Sequence, residues 1–147
     1  VWTTDKDGMI MALLGMEIMA VMGKSALKMA GESVGEFGNP KFGRIDAPCK
    51  KEQKQILKQM SAELITATTV DGDPITNIRT TSLYNDMPID GVRVETDKGW
   101  FVARPSGTED LYKIYGESYK GDLGLVALLT AGEEIVNAAL NGTIETE

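Results

Sequence analysis

The sequence predicts an α+β fold: an antiparallel sheet of about four strands covered by helices, with one further helix ahead of it. Three observations carry this. The stretch from Leu64 to Tyr119 is rich in Ile, Val, Thr and aromatic residues and is broken by short turns containing Gly and Asp. From Asp122 to Leu140 apolar residues recur at helical spacing. A separate helical pattern near the N-terminus is divided from the rest by a run of Gly and Pro.

Taken in order, Ile10, Leu13, Leu14, Ile18 and Val21 recur at the period of a helix, which Asp5 or Asp7 can cap and Gly23 can end. Met9, Met11, Met16, Met19 and Met22 lie in the same segment and read as flexible core filling. Gly31, Gly35, Gly38, Pro40, Gly43 and Pro48 then predict a loop or linker. The expected division is residues 1–48 as a helical segment plus linker, 49–142 as the sheet domain, and 143–147 as a tail. Lys50 to Met60 reads as a short polar helix with Ile56, Leu57 and Met60 on its apolar side.

Leu64–Val70, the turn Asp71-Gly72-Asp73-Pro74 and the run from Ile75 read as two strands or one hairpin, and Thr80–Asp90 as a loop. Val92, Val94 and Thr96 alternate with Arg93 and Glu95 as in a half-buried strand, and Asp97-Lys98-Gly99 turns the chain back. Trp100–Ala103 and Tyr112–Tyr119 supply two more strands, joined by a loop from Arg104 to Asp110. Leu125, Leu128, Leu129, Ile135, Val136 and Leu140 mark the last helix, with Asn141-Gly142 as its expected stop.

Composition narrows the chemistry. The chain has 147 residues, 42% apolar and 25% charged, as in a globular protein. A net charge of −7 argues against a nucleic-acid partner, which needs a basic face. No apolar run approaches the roughly 18 residues of a membrane span, and the N-terminus lacks a signal-peptide pattern, so no membrane partner is expected. The single cysteine, Cys49, can form no internal disulfide and reads as a spectator thiol in a reducing, cytoplasmic setting. With no histidine, a Ser-His or Cys-His pair is excluded. The opening Val1-Trp2-Thr3 suggests a start cut from something longer.

The loop Arg104-Pro105-Ser106-Gly107-Thr108-Glu109-Asp110 gathers a guanidinium, two hydroxyls and a glycine backbone within five residues. A phosphate dianion suits them: Arg presents a fork to two oxygens, hydroxyls donate to the third, and Gly admits a close backbone approach. The plainer alternative is a polar hairpin turn whose Ser, Gly and Thr are turn formers.

This loop, with Tyr112-Lys113-Ile114-Tyr115 after it, resembles the phosphate-binding loop and following strand in the last domain of bacterial glucose-phosphate-specific phosphoglucomutases, members of the α-D-phosphohexomutases. Trp2-Thr3-Thr4-Asp5-Lys6-Asp7-Gly8 resembles the segment with which that family's third domain opens a helix. Arg44-Ile45-Asp46-Ala47-Pro48, Gly72-Asp73-Pro74-Ile75-Thr76 and Gly99-Trp100-Phe101 extend the resemblance along nearly the whole chain.

The resemblance implies the end of a third domain followed by the phosphate-binding fourth. It implies an enzyme that interconverts glucose 1-phosphate and glucose 6-phosphate through a phosphoserine and a bisphosphate intermediate. The phosphoserine, the Asp-rich Mg2+ loop and the sugar loop of such enzymes would all lie outside this chain. The chain alone is then expected to be inactive and to bind no metal. Arg104, Ser106, Gly107 and Thr108 match the family's phosphate contacts. Glu109 would repel a dianion, so it points away or orients Arg104. Lys6 matches a basic residue near the cleft; the plainer reading is a solvated lysine. Expected partners are the sugar phosphates and the remaining domains of the parent enzyme.

Asp71-Gly72-Asp73 is expected to be a turn and not a metal site, since the residue order of a calcium loop is missing. Trp100, Phe101, Tyr112, Tyr115 and Tyr119 are expected to pack the sheet and not to stack on bases. Two other readings stay open: a phosphomannomutase or phosphoglucosamine mutase, and a self-standing anion-binding or interaction domain.

Overall fold

The computed structural model describes residues 7–144, with side chains through Asn141. The chain divides into two compact units, Val1–Asn39 and Pro40–Glu147. In the first, helix α1 (Gly8–Met22) is capped by the Asp7 carboxylate, which accepts from the Ile10 N–H at 3.1 Å, and ends at Gly23 in the left-handed region. Helix α2 (Ala26–Phe37) follows under a Ser25 cap.

Here the sequence expectation fails twice. Gly31 and Gly35 lie inside α2 and do not break it. The methionines of α1 are not core: no residue of α1 is buried, and Met9 and Val21 are 76% and 78% exposed. Helical spacing shows which faces are apolar, not whether anything covers them.

In the second unit, strand β1 (Lys41–Pro48) takes the place of the expected linker. Pro40 precedes the strand and Pro48 is its last residue, so neither interrupts it. Ile45 and Ala47 turn inward while Phe42, Arg44 and Asp46 turn outward. The division between units therefore falls at Asn39/Pro40, with β1 in the sheet. Helix α3 (Lys51–Lys58) comes next, then a 3-10 turn (Ala62–Leu64) and strands β2 (Thr69–Val70), β3 (Asp73–Thr81), β4 (Pro88–Thr96), β5 (Gly99–Pro105) and β6 (Leu111–Ser118). Helix α4 (Gly121–Ile144) runs past the expected stop at Asn141-Gly142.

The six strands lie in the order β1-β6-β5-β4-β3-β2, every pair antiparallel, against the four expected. The β2–β3 hairpin turns at Asp71 (φ 49°) and Gly72 (φ 79°), two consecutive left-handed residues as a tight two-residue turn requires. The segment expected as a loop from Thr80 to Asp90 shrinks to Ser82–Met87.

One face of the sheet carries the core. Val92 and Val94 of β4, Phe101 and Ala103 of β5, and Tyr112 and Ile114 of β6 are essentially inaccessible and meet Leu128, Leu129, Val136 and Leu140 of α4 and Leu57 of α3. At about 25 cal/mol per Å2 of apolar surface, each such large side chain contributes roughly 1.5–3 kcal/mol. Tyr112 sinks its ring into this core and donates its hydroxyl to Asn137 Oδ1 at 2.9 Å; burial raises its pKa well above the phenol range. The stretch Gly121–Asn141 is long and apolar enough by composition to cross a membrane, which corrects the sequence reading. Glu133 and Glu134 interrupt its apolar run without offsetting the average, and its apolar stripe is the one packed on the sheet.

Candidate phosphate site

Strands β5 and β6 meet in register, with Pro105 opposite Tyr112, and the loop between them is Ser106–Asp110. The Ser106 N–H closes it on the Leu111 carbonyl at 2.9 Å, and the Leu111 N–H bonds to the Glu109 carbonyl at 2.9 Å. Its far end is tied to the opening of α3: the Cys49 N–H donates to the Asp110 carbonyl at 3.2 Å, and Lys54 Nζ pairs with the Asp110 carboxylate at 3.1 Å. Burial raises the Cys49 pKa; the Lys54 charge opposes this and Asp110 adds to it.

Within this frame most of the phosphate-suited groups are free, the Ser106 hydroxyl excepted. Among the described residues the N–H groups of Gly107, Thr108, Glu109 and Asp110 donate to no acceptor, and Arg104 and Thr108 make no side-chain hydrogen bond or ion pair. A Cβ placed on Gly107 would meet nothing within 4 Å, and its φ is not left-handed. The fold itself therefore does not require glycine there.

Glu109 settles between the two expected roles. Its carboxylate takes the Ser106 hydroxyl at 3.5 Å and the Lys113 ammonium at 3.6 Å, so it does not orient Arg104. The register adds a residue that sequence reasoning missed: Arg104 stands directly opposite Lys113. Like charges in that position repel, and the Glu109 carboxylate beside Lys113 offsets part of that repulsion.

Arg104 also borders an open groove of about 450 Å3 on the helix-free face of the sheet, walled by Ile89, Trp100, Val102 and Tyr115. There the Arg93 guanidinium lies 4.0 Å from the Trp100 ring centroid and pairs with Glu95 at 2.6 Å. A hollow of about 570 Å3 elsewhere is lined by Glu63 and Glu134 among apolar residues and suits an anion poorly. Phe101 and Tyr112 fill the core, Trp100 and Tyr115 lie on the opposite face, and Tyr119 follows β6, half exposed. Lys6 lies outside the described residues.

The Asp71 and Asp73 carboxylates hold Lys120 Nζ at 2.6 and 3.1 Å, making the turn a brace to the start of α4. One ammonium thus bridges both carboxylates and occupies the space between them. Among the described residues no three Cys, Asp or Glu side chains are placed to hold a metal ion.

A six-stranded antiparallel sheet with helices on one face defines an α+β domain. Residues 45–124 match the family described as phosphoglucomutase/phosphomannomutase, C-terminal domain, and the chain belongs to that family. It is 43% identical over 138 residues to the phosphoglucomutase of Komagataeibacter xylinus, covering 94% of this chain and 25% of that one. It is 27% identical over 139 residues to a probable phosphoglucosamine mutase of Pyrococcus abyssi, covering 95% of this chain and 27% of that one. The chain thus spans about a quarter of the length of these curated relatives.

Proposed function

We propose that this chain is the C-terminal part of a phosphoglucomutase and that its Arg104–Thr108 loop grips the sugar phosphate group that is not reacting. The observation that carries the reading is the unfilled space over Gly107, beside unpaired loop N–H groups and a free Arg104 guanidinium. In this reading Arg104 presents its fork to two oxygens, and the Ser106 and Thr108 hydroxyls and the Gly107 N–H supply further donors. Lys113 balances the charge from the facing strand.

The parent enzyme interconverts glucose 1-phosphate and glucose 6-phosphate, with its phosphoserine and Mg2+ ligands on other domains, and works in the cytoplasm. Residues 1–39 then belong to its third domain, where Lys6 borders the cleft, and the exposed apolar residues of α1 and α2 pack against the rest of that domain. The greater identity to the glucose enzyme, 43% against 27% at similar coverage, favours it over a glucosamine-phosphate enzyme.

Four donor contacts at about 1.5–3 kcal/mol each stand against an association cost of at least roughly 4 kcal/mol and the ordering of the loop. Millimolar or weaker binding follows, since about −4 kcal/mol corresponds to 1 mM. Titrating the isotope-labelled chain with inorganic phosphate and with glucose 6-phosphate should shift the amides of Ser106, Gly107 and Thr108. Arg104→Lys should weaken binding severalfold, and a coupled assay should find no mutase turnover by the chain alone. Shifts centred on Asp71 with Gly107 unmoved would refute the assignment.

A further inference from the structure

We propose that the free edge of β1 pairs with the β1 edge of a second copy of this chain, joining two sheets across a two-fold axis.

The two edges of the sheet are unlike. One ends in β2, only two residues long, beside a β3 whose register with β4 shifts between Ile75 and Asn77 and again between Arg79 and Thr81. Short strands and bulges of this kind blunt an edge against further pairing. The other ends in β1, eight residues long and in unbroken register with β6 from Lys41 opposite Ser118 to Pro48 opposite Leu111. A strand so regular on its inner side presents an equally regular row of N–H and C=O groups on its outer side. Proline, which lacks the N–H, stands only at the last position.

The sequence of β1 is self-complementary when antiparallel. Centring the pairing on Ile45 sets Arg44 opposite the partner's Asp46, and Asp46 opposite the partner's Arg44. Both side chains lie on the helix-free face, where Arg44 Nε and Asp46 Oδ1 are 3.0 Å apart within one chain and are 49% and 36% exposed. Two such pairs side by side make a four-charge cluster of alternating sign. On the same face Phe42, 62% exposed, meets the partner's Pro48. On the inner face Gly43 meets the partner's Ala47, small residues that leave the strands free to approach. A register slip of one residue would place Arg44 opposite the partner's Ile45 and lose both charge pairs, so this alignment is favoured over its neighbours.

Sedimentation velocity on the full 147-residue chain tests this, using Arg44→Asp, Asp46→Arg, the double swap, and an equimolar mixture of the two single variants. Each single variant sets like charges face to face and should weaken self-association roughly tenfold, equivalent to about 1.4 kcal/mol. The double swap and the mixture should both restore it, the mixture as a heterodimer. Circular dichroism checks that each variant keeps the same fold. A wild-type chain that stays monomeric at every concentration overturns the proposal. So does association of equal strength in all variants, which would place the contact elsewhere, as on the exposed faces of α1 and α2.

Discussion

Replacing Gly107 with alanine separates a ligand-approach role from a structural one. A Cβ there meets no atom within 4 Å and φ is ordinary, so nothing in the folded chain resists the methyl group. At such a position Gly→Ala stabilises by about 0.4–1 kcal/mol through the unfolded chain. On the proposed reading a phosphate closes on the loop N–H groups across Gly107, and the methyl group would stand in its way. Losing one charge-assisted hydrogen bond costs about 1.5–3 kcal/mol, or roughly ten- to 150-fold in affinity. From a millimolar start, binding would fall to tens of millimolar or below detection. Urea denaturation and amide-shift titration with phosphate on the same sample read both effects. Unchanged affinity would show that no ligand closes on Gly107, and marked destabilisation would show a packing demand on that glycine that this structure lacks.

Gly91→Ala should behave oppositely: its Cβ would run into the Ala103 backbone carbonyl, which cannot step aside, and unfolding in urea should show a loss of about 1–3 kcal/mol. Tyr112→Phe removes the hydroxyl that Asn137 accepts inside the core and should lower the urea midpoint by an amount worth about 1 kcal/mol. The Lys120 ammonium is held by Asp71 and Asp73, which raises its pKa above the ordinary 10.5. Its contribution is therefore fully present below pH 10.5 and fades as pH rises through the higher folded value, so the stability gap between wild type and Lys120→Met should close in strong alkali. Hydrogen exchange should be fast in α1 and α2, which bury no residue, and slow in β4, β5 and β6.

Most of the fold could be read locally. The caps of α1, the apolar stripe of α4 and the Asp-Gly hairpin turn depend on neighbours in sequence, and each formed where its residues predicted. Strand β1 escaped because Pro40, Gly43 and Pro48 were weighed as breakers, whereas Phe42, Arg44 and Asp46 already alternated with Ile45 and Ala47. Its pairing with β6 spans some seventy positions, and no local pattern encodes that distance. The methionines of α1 failed for the converse reason: periodicity names a face, but what the face meets is a long-range fact. At the candidate site, Arg104, Ser106, Gly107 and Thr108 were visible as residue types. The opposition of Arg104 and Lys113, and the engagement of Glu109 by Lys113, needed the strand register.

The cross-strand opposition of Arg104 and Lys113 bears on what such a site can discriminate. In the proposed site a guanidinium, an ammonium shared with Glu109 and a rim of amides would respond to the charge and radius of an oxyanion and not to the ring that carries it. On the proposed reading, this hairpin tip is indifferent to whether a phosphate hangs from the first or the sixth carbon. That indifference also means that sulfate should compete with sugar phosphates here, and that any preference among hexoses has to be written into parts of the enzyme that touch hydroxyl groups.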